Sequence, residues 1–447
     1  MLTAKSLETA IAEAGSAVRL LWTDAPRVWT RPVVPPEITG WREEQAAWRE
    51  RVALIDLSHH MSDLFVSGKE ATHFLSQYSA TDFSEFAIGQ AKSYIPVSED
   101  GYLIGECIVL RTAANRYVLT GAPPIHRWLL YKSECGYYDI DMHFVDDSRR
   151  RSGPPELFRF RLQGPMAEAL TRKVLGTALP ELELLHSVSL PYADGEVRVL
   201  RQSKMGQPGY EFVGKWAVGE RLREDLARLG RPMRLTEVGA LAHAAGAVES
   251  GWMPVPVPAI YQSCLTGYRA TLPAEAIREH KPIYGSFYSD RIEDYYVTPF
   301  EMGFGRVMAL GRDFNGREAM LARRAQDTRR KVTLEIDAAD AARVLGGPDS
   351  YLLNHGRFRI EKDGALVGLT MCTARIDPLK AVLSLSLVEG RHAAPGTELD
   401  LVWGFHPGPG TPAEADFGQQ VLKARVRRSV FEAQPDMSEE AASLAEA

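Results

Sequence analysis

The sequence predicts an α+β protein of several domains. Three observations carry this prediction: the length of 447 residues, the mixture of helical and strand-like periods, and a run of period-two segments near the C-terminus. A chain of this length exceeds what one hydrophobic core ordinarily organises, so two or three domains are expected. Hydrophobic residues make up 45% of the chain and charged residues 25%, which is the balance of a globular protein.

The N-terminal segment predicts two helices joined by an aromatic loop. Residues 5–21 carry apolar side chains at helical spacing, and residues 42–51 form a second helix that follows Pro35 and Pro36. The intervening loop is rich in proline and aromatic residues, and such a loop can cover an active site. We therefore expect residues 1–52 to form an N-terminal extension.

The middle of the chain alternates between strand-like and helical periods. A second strand-rich unit is expected over residues 151–235, after which the chain returns to the first unit. The first, catalytic unit is therefore predicted to be discontinuous, over residues 53–150 and 236–325. Its predicted strands cover residues 53–57, 62–66, 93–97, 108–110 and 117–120, its helices cover 70–78 and 124–135, and the second unit has helices at 167–174 and 218–229.

The C-terminal part predicts a small antiparallel β-barrel over residues 326–434. Period-two strands are separated there by glycine and proline turns. The basic run at residues 423–428 (KARVRR) alternates with apolar residues, which favours a strand with one solvated face. The tail, residues 435–447, is acidic and lacks aromatic residues, so we expect it to be disordered. The predicted strands are 331–336, 358–362, 381–388 and 399–402.

Charge and composition exclude several classes of function. The net charge of −6 argues against a nucleic-acid partner, because neutralising phosphates requires a basic surface. No apolar run is long enough to span a bilayer and no signal peptide is evident, so a cytoplasmic monomer or small homo-oligomer is expected. No metal site is predicted, because the histidines and cysteines lack the spacing of ligand pairs. The four cysteines are Cys107, Cys135, Cys264 and Cys372.

Three blocks of sequence occur in an informative order. They are residues 55–61 (IDLSHHM), 206–211 (GQPGYE) and 291–318, the last containing TPFEMGFG and DFNGRE. Together they resemble the T-protein of the glycine cleavage system and related folate-dependent aminomethyltransferases. The resemblance implies a T-protein-like cloverleaf of three domains around a tetrahydrofolate site, with a C-terminal antiparallel β-barrel.

The same resemblance implies residues that would hold the cofactor. A carboxylate can accept two hydrogen bonds from the pterin edge as a fork, and Glu211 stands where the T-protein carries that contact. The alternative for Glu211 is a glutamate on the exposed face of a strand. Glu249 and Trp252, in VESGW, would order the folate pocket or else pack in the core. The complete predicted cofactor set is Glu211, Tyr210, Gln163, Glu249, Trp252 and Tyr295.

One position departs from the T-protein pattern. Where that family has paired aspartates, of which the second lies beside folate N5, this chain has Gly105 and Glu106. A longer carboxylate there argues against aminomethyl transfer and is compatible with another one-carbon transfer. Glu106 is therefore a candidate catalytic residue, with a charge at the strand edge as the alternative.

A narrower resemblance rests on SHHM at residues 58–61, on the tryptophan-rich helix TGWREEQAAWR and on ESGWMPVPVPAIY. These segments are similar to the tetrahydrofolate-dependent aryl O-demethylases that act on vanillate, methylgallate and syringate. In that group the methyl of an aryl ether moves to folate N5 and leaves a phenol. A histidine suits proton transfer to the departing aryloxide at neutral pH, and His60 is predicted in that role. His59 is expected on the other face of the same strand.

The identity of the substrate is left open by the residues. Ala122 stands where the vanillate enzymes have an arginine, and His243 replaces a tyrosine and is a further catalytic candidate. Without that arginine a buried carboxylate needs another cation, so neutral aryl ethers are expected to react at least as well. The alternatives are a methylenedioxyphenyl lignan such as sesamin, which would give 5,10-methylenetetrahydrofolate, or an aminomethyl substrate. The predicted substrate-binding residues are His59, Trp29, Arg31, Ala122, His126, Arg127 and Tyr261.

Overall fold

A computed structural model of the chain describes residues 5–24, 26, 31, 33–176, 179–204, 206–255, 257–276, 281–324 and 329–428. The predicted tail at 435–447 and Trp29 lie outside the described residues. No helix in the described ranges has the length and apolar character needed to cross a bilayer. The helices are α1 (Leu7–Ala14), α2 (Ala17–Leu21), α3 (Trp41–Glu50), α4 (Ala71–Gln77), α5 (Pro123–Glu134), α6 (Ala167–Leu175), α7 (Trp216–Gly230), α8 (Ala240–Glu249), α9 (Thr266–Thr271), α10 (Arg317–Arg324) and α11 (Ala338–Val344).

The strands form three sheets. Short 3₁₀ helices also occur, including one at Ile292–Tyr295 and one at Phe304–Val307, both within the third sequence block. The strands are β1 (Ala53–Asp56), β2 (Ser62–Ser67), β3 (Ala91–Tyr94), β4 (Cys107–Ala113), β5 (Arg116–Gly121), β6 (Asp141–Val145), β7 (Leu157–Gln163), β8 (Ser187–Tyr192), β9 (Gly195–Lys204), β10 (Gln207–Lys215), β11 (Thr236–Val238), β12 (Arg329–Ile336), β13 (Leu353–Asn354), β14 (Arg359–Lys362), β15 (Ala365–Ile376), β16 (Ala381–Glu389), β17 (Glu398–Trp403) and β18 (Gln420–Arg427).

The helix predicted over residues 5–21 is in fact two helices. Gly15 follows α1 with a φ of 84°, a left-handed conformation that glycine adopts without steric cost. Ser16 then caps α2, because its hydroxyl accepts a hydrogen bond from the backbone N–H of Arg19 at 3.1 Å. The prediction of one continuous helix was therefore wrong, and its two signals were a glycine and a serine inside the periodic run.

Two of the sheets belong to the first two thirds of the chain. One is a five-stranded antiparallel sheet in the order β3-β4-β5-β2-β6. The other has six strands in the order β11-β1-β7-β10-β9-β8, in which only the pair of β1 with β11 is parallel. This second sheet joins β1 and β11, from the predicted catalytic unit, to the strands of the predicted second unit. The predicted domain boundaries stay a prediction.

The C-terminal strands close into a six-stranded antiparallel barrel. The ring runs β15-β14-β17-β18-β12-β16, and it closes because β15 pairs with both β14 and β16. The predicted barrel is confirmed. The basic run is also the expected strand, β18, in which Leu422, Ala424 and Val426 are buried while Lys423 and Arg425 are exposed. Apolar residues on the inner faces, among them Leu334 and Leu401, fill the barrel.

Candidate active site

A large cavity lies among the three sheets. Its volume is about 2200 Å³, beyond the roughly 300–1000 Å³ of ordinary small-molecule sites. Thr120 of the five-stranded sheet, Glu211 of the six-stranded sheet and Met371 of the barrel all line it. The cavity therefore has room for two ligands side by side. The predicted site residues on its wall are His60, Glu106, His243, Glu211, Trp252, Arg31 and Ala122.

Two histidines lie side by side on the wall of this cavity. The ring centroids of His60 and His243 lie 5.6 Å apart at an interplanar angle of 66°. His60 lies in the turn between β1 and β2, and His243 comes from the first turn of α8. The Nδ1 atom of His243 is buried and has no hydrogen-bond partner in the described part of the chain. The pair brings two proton-transfer groups to one place.

His59 and His60 were expected on a strand, and this expectation was wrong, because residues 58–60 form a turn. The two side chains nevertheless diverge. His59 Nδ1 lies 3.0 Å from the hydroxyl of Ser148, and its ring meets Trp216 edge-on at 5.6 Å. Burial lowers the pKa of His59. His59 is absent from the cavity wall, so the structure separates the two histidines by position.

Glu106 lies on the cavity wall just before β4. Its Oε2 accepts a hydrogen bond from the indole N–H of Trp252 at 2.9 Å, and Ser93 donates to Oε1 at 3.4 Å. Burial raises the pKa of Glu106, and the nearby ammonium of Lys204 acts in the opposite direction. Trp252 is 40% exposed and also lines the cavity, so its indole hydrogen bond joins two residues of the wall.

Glu211 is the centre of a buried charge network. Its Oε1 accepts from Arg159 at 2.6 Å, and its Oε2 accepts from Arg161 and Gln202, each at 3.0 Å. Arg159 also donates to the carboxylate of Asp63 at 2.9 Å. Burial alone would raise the pKa of Glu211, but the two guanidinium groups outweigh it and lower the pKa to about 2.

This network bears on the predicted pterin fork. A carboxylate has about four acceptor positions, and in Glu211 three are in use. One acceptor position remains, so a two-bond fork would require Arg161 or Gln202 to turn away. Glu211 keeps a charged carboxylate at the wall, and its role toward a pterin stays a prediction.

Three of the predicted cofactor residues lie away from the cavity wall. Tyr210 belongs to β10 and is buried in the core, on the face of the strand opposite Glu211. The side-chain amide of Gln163 donates to the carbonyl oxygens of Lys204 and Pro208, at 2.9 and 3.1 Å, and so holds the turn between β9 and β10. Tyr295 is buried, and its hydroxyl accepts from the backbone N–H of Ser289 at 2.9 Å.

Glu249 also lies away from the wall. Both of its oxygens accept hydrogen bonds from α3, one from the Trp48 indole at 3.1 Å and one from Arg49 at 2.6 Å. Burial raises the pKa of Glu249, and Arg49 acts against this shift. These contacts tie α8 to α3, and Glu249 is not among the residues that line the cavity.

Predicted substrate residues are divided in the same way. Arg31 and Ala122 line the cavity. His126 is buried in α5 with Nδ1 2.9 Å from Ser62 Oγ, and burial lowers its pKa to about 3. Arg127 pairs with Asp146 at 2.6 Å. Tyr261 is packed in the core beside Tyr296. His126, Arg127 and Tyr261 are not among the residues that line the cavity.

The sequence reasoning missed the cations of the cavity. Eight arginines and three lysines line it, against only the four carboxylates of Glu106, Asp194, Glu196 and Glu211, although the whole chain is acidic. A signal existed in β7, where Arg159 and Arg161 alternate with Phe158, Phe160 and Leu162. Period-two basic residues opposite a buried apolar face place both guanidinium groups on one side of the sheet.

Residues 22–255 match the GCVT N-terminal domain family. The chain belongs to the GCVT family. It is 32% identical over 416 residues to the syringate O-demethylase of Sphingobium sp. (strain NBRC 103272 / SYK-6), and the match covers 89% of each chain. It is 25% identical to the sesamin methylene transferase of Sinomonas sp. (strain No.22), over 82% of this chain and 85% of the relative.

The fold agrees with this membership. The glycine cleavage system aminomethyltransferase T of Bartonella henselae superposes with a TM-score of 0.60 at 18% identity, covering 90% of this GCVT-family chain and 92% of the other. The predicted T-protein-like fold is therefore confirmed, and so is the narrower resemblance to the aryl O-demethylases.

Proposed function

We propose that this protein is a tetrahydrofolate-dependent aryl O-demethylase, a one-carbon transferase that moves the methyl group of an aromatic ether to N5 of tetrahydrofolate. The observation that carries the proposal is the meeting of His60, His243 and Glu106 on the wall of one cavity large enough for a folate and an aromatic ring. The similarity to a syringate O-demethylase supports it.

The reaction requires a proton for the departing oxygen. The methyl carbon would pass from the aryl oxygen to the nitrogen that bound tetrahydrofolate supplies, that amine would release its proton, and the aryloxide would take up a proton to become a phenol. The imidazole of His60, with His243 5.6 Å away, is placed to hold and deliver the proton. Glu106, whose pKa burial raises, is a candidate for receiving the proton that leaves the amine.

The cavity fits tetrahydrofolate as the cofactor. Glu211 offers an ionised carboxylate with one free acceptor position for the pterin edge. Arg161 Nε is a buried N–H on the same wall with no hydrogen-bond partner in the described ranges, which suits a carbonyl oxygen of the ring. The excess of basic residues suits the anionic glutamate of a folate. When bound, tetrahydrofolate supplies the nucleophilic nitrogen.

The substrate proposed is a methoxylated aromatic acid derived from lignin. The expectation that neutral ethers react at least as well rested on a pocket without a strong cation. Arg31 and Arg357 line the cavity, which supports a substrate that carries a carboxylate. Ala122 does lie on the wall, so no arginine occupies that position. A carboxylate on the ring therefore has partners elsewhere on the wall.

Transfer of a methylene bridge is a second candidate. The cavity volume of about 2200 Å³ exceeds what a folate and a single ring require, which favours room for a lignan. The similarity to a sesamin methylene transferase supports this alternative. Aminomethyl transfer is a weaker candidate, because Glu106 replaces the aspartate that the T-protein pattern places beside folate N5.

Anaerobic incubation with tetrahydrofolate and a panel of aromatic ethers tests the proposal. The panel contains syringate, vanillate, their aldehydes and sesamin, and mass spectrometry reads both products. We expect a phenol and 5-methyltetrahydrofolate from a methoxylated acid, and 5,10-methylenetetrahydrofolate from sesamin would favour the alternative. Absence of any one-carbon product across the panel would contradict both.

A matched pair of histidine variants tests the proton-transfer step. His60→Ala is expected to lower turnover by about 10²–10⁴-fold, the usual contribution of a positioned proton donor, with little change in folate affinity. His59→Ala removes a neighbouring histidine that is absent from the wall and is expected to keep turnover within about threefold. Equal losses in the two variants would remove His60 from the reaction.

A further inference from the structure

The opposite wall of the cavity carries a buried arginine. Arg357 follows β13, is 6% exposed and lines the cavity beside Met371. Its Nη1 donates to the carbonyl oxygens of His355 at 2.6 Å and Met371 at 3.0 Å. No carboxylate in the described parts of the chain forms an ion pair with this guanidinium. The charge is held by backbone carbonyl groups alone.

The surroundings of Arg357 keep it charged. Burial lowers the pKa of Arg357 to about 10, so the guanidinium remains protonated at neutral pH. Burial together with Arg357 and Lys281 lowers the pKa of His355 to about 4, so that histidine is neutral. The acidic groups nearest to Arg357 are the side chains of Tyr284, Cys372 and Tyr295, and all three are uncharged at neutral pH.

The backbone at Arg357 is held rigidly in place. Its N–H donates to the Tyr284 carbonyl at 2.7 Å, and its own carbonyl accepts from Phe287 at 2.9 Å. Gly285 makes this approach possible, because a Cβ built there would lie 2.3 Å from the Arg357 carbonyl oxygen. These contacts fix the backbone at Arg357, and the two hydrogen bonds of Nη1 hold the guanidinium, as expected of a binding group rather than of a mobile surface charge.

The positive charge of the Arg357 guanidinium calls for a compensating group. A buried cation without a counter-ion is costly, and buried charges in proteins are ordinarily paired. Among the described residues, Nη1 is the guanidinium nitrogen of Arg357 that has hydrogen-bond partners, and the residue lies on the cavity. A planar guanidinium favours a two-bond contact with a carboxylate.

The geometry points to a carboxylate-binding subsite at Arg357, on the barrel side of the cavity. Its occupant is a carboxylate group of the aromatic acid or of tetrahydrofolate. The identity of these two ligands rests on the proposed function. The two sources are the ring carboxylate of an aromatic acid and the glutamate of the folate. Both are carboxylate groups, and a binding experiment distinguishes the two ligands.

Calorimetry on the full chain under anaerobic conditions tests the subsite with two pairs of probes. The first pair is syringate and syringaldehyde, and the second is tetrahydrofolate and 6-methyltetrahydropterin, which lacks the glutamate. Arg357→Met is expected to weaken binding of one carboxylate probe by about 10-fold to 100-fold, and to leave its uncharged counterpart within about twofold. The probe that weakens identifies the source.

Two further variants complete the design. Arg359→Met removes an arginine two residues away that pairs with Glu361 and does not line the cavity, so all four affinities should match the wild type. Arg357→Lys keeps the charge without the planar fork and should lose affinity partially, which retains the test if the methionine variant does not fold.

The subsite is overturned if both carboxylate probes bind Arg357→Met as they bind the wild type, or if the uncharged probes weaken equally. The proposed function is judged separately by product formation in the wild type. An Arg357-dependent affinity without any one-carbon product would keep the subsite and overturn the function.

Discussion

Arg159 and Arg357 lie on opposite walls of the same cavity, and their partners differ. Arg159 donates to two carboxylates, Asp63 at 2.9 Å and Glu211 at 2.6 Å. Within the described ranges, Arg357 donates to backbone carbonyl groups and to no carboxylate. Both are buried. The difference teaches that burial of a cation does not by itself identify a binding group. A cation whose charge is already neutralised holds the wall together, whereas one without a counter-ion is available to a ligand.

The largest expected difference between the two arginines is in stability. Arg159→Met leaves Asp63 buried without this cation and leaves Glu211 with Arg161 alone among the described cations, which should cost about 3–5 kcal/mol in the free energy of unfolding. Arg357→Met removes an uncompensated charge along with two hydrogen bonds, so a change within about 1 kcal/mol is expected. Urea denaturation of both variants measures this. Similar losses would abolish the contrast.

Removal of Glu211 should affect folate affinity as well as stability. Glu211→Ala takes away the acceptor proposed for the pterin and is expected to weaken tetrahydrofolate binding by about 1.5–3 kcal/mol. The same change leaves Arg159 and Arg161 short of a partner, so the protein should also be less stable. Calorimetry and denaturation report the two effects separately.

Glu249→Ala is the matched control for that measurement. Glu249 is also buried, and its hydrogen-bond partners among the described residues lie on α3, so its loss should lower stability and leave folate affinity within about twofold. A strong loss of folate affinity in Glu249→Ala would return Glu249 to the binding site.

The pH dependence of the free energy of unfolding should distinguish His355 from Glu211, because the two groups titrate in different pH ranges. The folded pKa of His355 is about 4 against 6.5 for the free side chain, so its contribution is present above pH 6.5 and lost as the pH falls toward 4. Glu211 has a folded pKa of about 2 against 4.5, so its contribution is lost between pH 4.5 and 2.

Substitutions show which residue causes the loss of stability in each pH range. His355→Asn should flatten the stability profile between pH 6.5 and 4 by about 1–3 kcal/mol, and Glu211→Gln should flatten it below pH 4.5. His126, with a pKa of about 3, contributes to both ranges and is left intact in each variant. Denaturation midpoints from pH 3 to 8 measure the profile, and an unchanged slope in His355→Asn would refute the assignment.

The smallest effect is expected at Glu106, on the wall beside Lys204. Trp252→Phe deletes the indole hydrogen bond that lowers the pKa of Glu106, so that pKa should rise further. The loss of one hydrogen bond to a charged group on a partly exposed side chain corresponds to about 0.5–1.5 kcal/mol. The acidic limb of the turnover profile should therefore move to higher pH by less than about one unit. A limb that stays in place would show that Glu106 does not titrate in the reaction.

Much of this molecule was determined by local sequence. The period-two segments predicted the barrel, because alternation of buried and solvated residues along β18 is visible in KARVRR. His60, Glu106 and Glu211 were singled out by motif and all reached the cavity wall. The same reasoning missed β15, the 12-residue strand at Ala365–Ile376, since ten consecutive buried positions give it no alternation to detect.

Only the tertiary structure decided which charges are paired. Tyr210 and Glu211 are neighbours in sequence, yet one is packed in the core and the other faces the cavity, because successive residues of a strand point to opposite faces. Glu249 and Glu211 looked alike as glutamates in motifs, and they were separated by the position of α3. Whether a buried arginine has a counter-ion depends on residues about 50 to 100 positions away, such as Glu211 and Asp63 for Arg159, and their approach is set by strand pairing rather than by any local pattern.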